Sequence, residues 1–572
     1  MAHTREILTF QFGTYANYVG AHFWNQQEAN FVYDGQGEVD EQGLPNNDIL
    51  YREGQNDQNQ STYTPRLLSV DLAGTLAHLP LAGELYGDFI QRKRDELDAS
   101  GDGVESTKKA LEANQLSTSG KVEVREEPPT PMSEYQRDLL MGAVNTLDRD
   151  YKLAETCRTW ADFLYARYHP RTLNVLHQYT SNPDLQALGT HTAGAELWSS
   201  SFEEDFCDRI RLYVEECDGL QGFQLLFDID DGFSGLATKC LEHLNDEYSR
   251  ASFVVPLHYP RNLSYAQADT RTSHNIRVVN AVLSYNHLSD YATMFTPLST
   301  LESIWRNNTL KSRHMPGLHW QADNLYQTSA VLGSYLDTIS LSYRMRQTPE
   351  TLLRFCDRVG VAGRKLTAAA FALPLDMLDK QDLIECLDQR GGKPLLTQIT
   401  PQCEPGTAHV VQSVVARGIP VSRLKRPPEQ AGEQLRMAAY NCGSISQMLQ
   451  LYYQCAYHNS LSNVISTVLP IKTQLPFPYE LFDKNVNIDG YKLPGEAQRD
   501  AGTRVASAPA LGALQSSSRL GEHIDALHAQ THRVQLAKLQ SYSQAGLERE
   551  EYETALEHLL EFRDNYSDSQ YL

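Results

Sequence analysis

A strand that passes into a helix through a glycine-containing loop occurs twice in this chain, and it narrows the possible folds more than any other feature. Residues 5–12 read as a strand, with Ile7, Phe10 and Phe12 as β-favouring positions and Gly13 ending the run. Residues 15–30 then suit a helix that turns Val19 and Phe23 inward. The pattern returns at 222–227, where a strand runs into the loop 228–235. A helix follows through Leu236, Ala237, Cys240, Leu241 and Leu244, and 253–257 is the next strand. Such alternation implies a parallel sheet with helices on both faces, and ligands of such sheets gather at the carboxyl ends of the strands.

Between and beyond these units the chain is less regular. A second strand over 65–72 finishes at Gly74-Thr75, after a polar stretch at 34–62 that reads as mostly loop. Residues 98–133 hold too few large apolar groups to offset chain entropy and are expected to form a flexible loop. Residues 134–176 are expected to be helical, with Trp160, Phe163, Leu164 and Tyr168 spaced i, i+3, i+4, i+8. That stripe fits core better than a binding box, and it is also a candidate interface. Another helix is expected around 202–216. Residues 496–520, poor in large apolar groups, read as a linker or lid, and 521–566 read as helices.

At 572 residues the chain exceeds the roughly 250–300 that one core usually supports. Its net charge of −22, with no basic block, argues against nucleic acid and anionic membranes as primary partners. Nine cysteines without a Cys-x-x-Cys pair suit reduced thiols better than disulfides or zinc. No apolar run is long enough to insert into a membrane, and the N-terminus lacks a signal core or presequence pattern, so the expected compartment is cytoplasmic. Residues 483–494 fail the calcium-loop pattern, with Ile488 where glycine belongs and Pro494 where glutamate belongs. A turn is expected there. His258 reads as a loop-packing residue rather than a base.

Separated stretches then carry a resemblance. The opening through Gly13, Asn17 and Gly20-Ala21-His22-Phe23-Trp24 resembles the start of tubulins, where a glycine-turned loop holds the phosphates of GTP. Cys217 to Leu225 resembles the tubulin stretch leading into its glycine-rich phosphate loop. Tyr63 to Thr75, Asn280 to Ser284 and Glu551 to Tyr566 resemble further tubulin segments in the same order. Trp160-Ala161-Asp162-Phe163-Leu164, His169-Pro170-Arg171 and Asp231-Gly232-Phe233-Ser234-Gly235 resemble the Misato family, which is tubulin-related.

The fold class implied is α/β and tubulin-like. A Rossmann-type parallel sheet would form the N-terminal domain over 1–305, with 98–133 as an insertion. An α+β intermediate domain over 306–495, a linker over 496–520 and C-terminal helices over 521–572 would follow. The resemblance also marks Gly13, Asn17, Asp71, Gly232, Ser234, Gly235 and Asn280 as a remnant nucleotide site, Asn280 matching the asparagine that contacts the base.

The loops depart from that chemistry. Aligned without gaps, Asp230, Asp231, Gly232, Phe233, Ser234, Gly235 and Leu236 stand where tubulins have Gly-Gly-Gly-Thr-Gly-Ser-Gly, although a one-residue gap would also recover Ser234-Gly235. Two carboxylates about 4 Å apart repel by roughly 1 kcal/mol even in water. Phe233 and Tyr15 add bulk, and Leu298 replaces an asparagine. GTP is therefore disfavoured as a cofactor, although Mg²⁺ at Asp71, Asp230 or Asp231 would invert the charge logic. The acidic loop that completes hydrolysis in tubulin filaments has no counterpart between 305 and 345. No catalytic residues are expected.

The Misato resemblance implies a non-enzymatic role in mitochondrial distribution and morphology, and in spindle microtubule assembly. The expected partners are tubulin or the chaperonin–prefoldin machinery that handles it, with peripheral association at the mitochondrial outer surface as a further expectation. The rival reading is a GTP-binding switch.

Overall fold

The computed structural model describes residues 5–31, 44–55, 61–76, 79, 132–142, 149–180, 188–260, 270–305, 311–346, 350–390, 393–403, 410–426, 436–456 and 460–567. Strand β1 (Ile7–Phe12) is buried along its whole length. Its alternation sends Leu8, Phe10 and Phe12 to one apolar layer and Ile7 to the other. A hairpin of β2 (Tyr51–Gln55) and β3 (Ser61–Pro65) precedes β4 (Leu67–Ala73), so the stretch expected as loop is partly paired. With β5 (Leu173–Thr180), β6 (Gly222–Asp228), β7 (Ala251–Leu257) and β8 (Met294–Phe295), strands β1 and β4 form a parallel six-stranded sheet ordered β5-β4-β1-β6-β7-β8.

Helix α1 (Thr14–Glu28) covers one face of that sheet, and α2 (Glu134–Met141) packs near it. The other face is covered by α3 (His191–Leu197), α4 (Glu203–Glu215), α5 (Phe233–Tyr248) and α6 (Thr270–Tyr291). Helix α7 (Leu325–Arg344) is buried at every position from Tyr326 onward, because α1 lies on one side of it and a second sheet on the other. Its one carboxylate, Asp337, is held between Arg344 at 2.8 Å and Arg417 at 2.5 Å. Helix α8 (Leu352–Val359) sets Phe355 edge-on against Phe253 and Tyr343.

The second sheet is mixed. Strands β9 (Ala368–Ala372), β10 (Thr397–Gln398), β11 (Val410–Arg417), β12 (Ser460–Thr467) and β15 (Ala510–Ser517) take the order β10-β9-β15-β11-β12. All neighbours are antiparallel except β11 and β12. Between β12 and β15 in sequence, β13 (Ile471–Lys472) pairs with β14 (Ser507–Ala508). Helix α9 (Ile445–Ala456) packs beside β12, while α10 (Leu520–Thr531) and α11 (Arg549–Asp564) pack on α6. The chain is thus α/β with a six-stranded parallel sheet first, a mixed sheet later and helices at the C-terminus.

Two expectations are corrected. The segment 496–520 is not a linker throughout: 496–504 is mostly exposed and irregular, but β15 is wholly buried and lies in the middle of the second sheet. Its small residues serve packing: a Cβ on Gly512 would sit 3.1 Å from the Thr338 methyl of α7. Residues 134–176 are not one helix. After α2 come a single helical turn at Leu153–Thr156, a 3-10 turn at Trp160–Phe163 and then β5. The Asp162 carboxylate caps that 3-10 turn by accepting from the N–H groups of Arg158 and Thr159, and Pro170 bars continuation. The four stripe residues are all buried, presented by a turn and irregular chain rather than by a helix. The insertion expected at 98–133 lies outside the described residues except for its last two positions. In 483–494, Asn487 Oδ1 accepts from the N–H groups of Asp489 and Tyr491, which is a turn.

Candidate functional site

The carboxyl ends of β1, β4, β6 and β7 converge, and every one of the seven residues singled out in the sequence lies there or on a helix that begins there. Gly13 adopts φ +109 between β1 and α1, and its N–H donates to the Val70 carbonyl at 3.1 Å. A Cβ at this position would lie 2.5 Å from Asp228 Oδ2. Glycine is therefore required twice over, by backbone conformation and by the approach of a carboxylate.

That carboxylate is the centre of the arrangement. At the end of β6, Asp228 accepts from the Tyr15 N–H at 2.9 Å through Oδ2 and from the Ala16 N–H at 2.8 Å through Oδ1. These are first-turn amides of α1, the groups that bind anions at helix N-termini. Burial raises the Asp228 pKa well above the ordinary range and the charge of Asp231 raises it further, while the two amides oppose the rise.

The neighbouring helix start is closed in the same way. Asp231 Oδ1 accepts from the Phe233 N–H at 3.0 Å, and its carbonyl accepts from Ser234 Oγ at 2.6 Å. The Gly232 N–H donates to the Leu188 carbonyl. Gly232 and Gly235 admit α3 rather than a ligand: a Cβ on Gly235 would lie 1.8 Å from the His191 carbonyl, and one on Gly194 1.8 Å from that of Gly232. Phe233 is buried in the apolar layer behind the sheet, so its bulk does not fill the loop. Tyr15 is likewise buried, edge-on to Tyr259 at 5.5 Å between ring centres.

The expected repulsion between Asp230 and Asp231 is also corrected. Asp230 turns away to Arg277 at 2.9 Å and His258 Nδ1 at 3.0 Å, and it accepts from the Tyr259 N–H. Burial alone would raise its pKa, but Arg277 and His258 prevail and hold it well below the usual carboxylate range. His258 is fully buried, edge-on to Trp305 at 5.6 Å, as a packing residue rather than an exposed base.

Asp71 and Asn17 form a second closed set. Asp71 accepts from Thr14 Oγ1, Asn17 Nδ2, Trp160 Nε1 and the Leu72 N–H. Asn17 also donates to the Val70 carbonyl and accepts from Ser69 Oγ. Burial raises the Asp71 pKa, and these donors oppose the rise.

Asn280 is saturated as well. Its Oδ1 accepts from the His191 N–H at 2.7 Å and from the Tyr542 hydroxyl, and its Nδ2 donates to the carbonyls of Gly189 and Asp230. Sequence reasoning missed Asp228, Trp160 and Tyr542 as members of this set. Asp228 was read as the first residue of the loop, whereas it ends β6, and Trp160 and Tyr542 arrive from distant segments with no local signal.

The Tyr15 and Ala16 amides, the Asn17 and Asn280 side chains and the Asp71 carboxylate are thus engaged by the protein's own atoms. No cluster of three or more metal-ligating side chains exists among the described residues. No helix among them is long and apolar enough to cross a membrane.

Comparison with known proteins agrees with this architecture. Residues 5–141 match the Misato Segment II tubulin-like domain, and residues 151–345 match the Tubulin domain. The chain is 66% identical to Protein misato of Drosophila melanogaster over 575 residues, with 100% of each chain covered. It is 31% identical to Protein misato homolog 1 of Mus musculus, covering 97% of this chain and 96% of that one. Protein dml-1 of Neurospora crassa is 27% identical over 368 residues, 64% of this chain and 61% of its own. The chain belongs to the Misato family of tubulin-like proteins.

Proposed function

We propose that this chain acts without catalysis, as a tubulin-shaped scaffold that makes protein–protein contacts. It serves mitochondrial distribution and morphology and spindle microtubule assembly, engaging tubulin or the chaperonin–prefoldin machinery from the cytoplasm and, in part, at the mitochondrial outer surface. The observation that carries the non-enzymatic reading is the Asp228 carboxylate on the first-turn amides of α1. A carboxyl group in that place leaves a phosphate neither of those two amides to bind. Closure of Asn280 by Tyr542 and of Asp71 by Trp160 supports the same reading.

The rival, a GTP-binding switch, rests on the retention of Gly13, Asn17, Asp71, Gly232 and Asn280. Nucleotide released by heating the purified protein separates the two. Protein free of guanine nucleotide is expected, and stoichiometric guanine nucleotide would overturn the proposal. For the partners, gentle affinity purification from cytosol should recover tubulin or chaperonin. Recovery of neither would sink that part.

A further inference from the structure

Among the described residues the second sheet ends at β12, whose strand partner is β11. In a parallel pair each residue turns its N–H and its C=O to the same side, and successive residues alternate. The Gly418 N–H donates to the Thr467 carbonyl at 3.1 Å, so Thr467 and the odd-numbered residues before it face β11. Ser460, Ser462, Val464 and Ser466 therefore direct their backbone outward. The Ser462 carbonyl confirms the parity, since it accepts from Gln450 Nε2 of α9 at 2.6 Å. Among the described residues, nothing hydrogen-bonds to the N–H or C=O of Val464 or Ser466.

Sheet edges are ordinarily guarded by a charge, a proline or a bulge. Strand β12 has none of these: its register with β11 is continuous from Ser460 to Thr467, and its sequence is Ser-Leu-Ser-Asn-Val-Ile-Ser-Thr. The surrounding sequence is just as unguarded. The thirty-five residues from Met437 to Ile471, which build α9 and β12, contain no Asp, Glu, Lys or Arg, although charged residues make up 21% of the chain. Leu461 and Val468 stand at the two ends of the strand with 67% and 58% of their surface exposed.

We propose that β12 is the pairing edge for a second copy of this chain, with the two strands antiparallel across a two-fold axis. Such a contact is self-complementary. The outward N–H and C=O groups of Val464 and Ser466 in one copy meet those of the other, and each pairing made once is made twice. Charge selects the occupant. Fixed charges are screened beyond about 8 Å at physiological ionic strength, so two acidic molecules can meet through a contact built only of uncharged residues. A basic partner, which the rest of a chain of net charge −22 would attract, finds no counter-charge at this edge. A strand pair flanked by Leu461 and Val468 belongs to the small class of interfaces, below about 1,200 Å², so the dimer is expected to be reversible.

Sedimentation velocity on the full chain, over a concentration series through the micromolar range, tests this. A reversible monomer–dimer equilibrium is expected. Ser466→Pro removes an outward N–H, a change that an edge strand tolerates without losing its inner ladder. Leu461→Lys places a charge at the exposed end of the strand and leaves the core untouched. Each should weaken the dimer at least tenfold while thermal unfolding of the monomer stays cooperative. If Ser466→Pro fails to fold, Leu461→Lys carries the test alone. A wild-type chain that remains monomeric throughout, or a dimer unmoved by Leu461→Lys, overturns the proposal.

Discussion

Trp160 Nε1 donates to Asp71 Oδ2 at 2.8 Å, joining a 3-10 turn to the end of β4 across 89 positions of sequence. Both residues are buried. Trp160→Phe keeps most of the ring volume and deletes the donor to a buried carboxylate. It should cost about 1.5–3 kcal/mol, the range for hydrogen bonds to charged groups. Urea unfolding would measure it, and an unchanged midpoint would show the bond to be dispensable.

Asp228 offers a test of self-occupation. Asp228→Ser opens the Tyr15 and Ala16 amides, at a stability cost of about 1–3 kcal/mol for the lost acceptors. Inorganic pyrophosphate should then raise the melting temperature of the variant and leave that of the wild-type protein unmoved. Equal responses from both proteins would mean that Asp228 does not block anions.

Tyr542 closes Asn280 from the C-terminal region. Tyr542→Phe should cost about 1 kcal/mol, one neutral hydrogen bond, whereas Tyr542→Ala should cost about 3–5 kcal/mol through the cavity it leaves. A two-step denaturation of the alanine variant would locate the loss in the C-terminal helices.

Asp337 is the counter-charge shared by two buried arginines. Asp337→Asn leaves Arg344 and Arg417 without it and should destabilise the protein by about 3–5 kcal/mol. Expression and melting of Asp337→Asn beside Asp337→Glu would test whether the charge, rather than the shape, is required.

Acid should unfold the protein through its buried histidines. Burial lowers His22 to about 3 and His523 to about 4, partly offset by hydrogen bonds to the carbonyls of Tyr326 and Pro401. Both are neutral when folded, and both take a proton near 6.5 when unfolded. The unfolded chain therefore binds more protons between these values, so their contribution is intact above pH 6.5 and is lost as pH falls toward 4 and 3. A tenfold difference in proton affinity between the folded and unfolded chain is worth about 1.4 kcal/mol, so the effect should be visible in chemical denaturation as a function of pH. A flat stability profile from pH 7 to 5 would contradict this.

The N-terminal sheet was legible because its strands obey local rules. Alternation marked β1, and the strand–loop–helix–strand order of 222–257 marked β6 and β7. The seven residues singled out do cluster, yet their roles changed. Gly232 and Gly235 read as phosphate glycines, but a glycine that admits an anion and one that admits a helix backbone look the same in sequence. The chemistry was misplaced by two positions, from Asp230 to Asp228, because no local pattern reveals which carboxylate faces the start of α1. The 496–520 segment failed for a related reason. Ala510, Gly512 and Ala513 look like a linker when size is read as a lack of core, although small residues are what fit beneath α7.

The position of β15 has a temporal consequence. It lies between β9 and β11, yet it is the last of the five strands to be synthesised. While a ribosome is still making residues 418–509, β9 and β11 exist without the strand that joins them. The parallel sheet that ends at Phe295 can close long before that. The nascent chain must therefore carry one finished layer beside one divided layer, with the facing borders of β9 and β11 unpaired until the chain beyond residue 509 has been made. Such intermediates expose apolar surface and aggregate readily. The length of that interval, set by where β15 sits in the chain, makes closure of the second sheet a late step in the synthesis of each molecule.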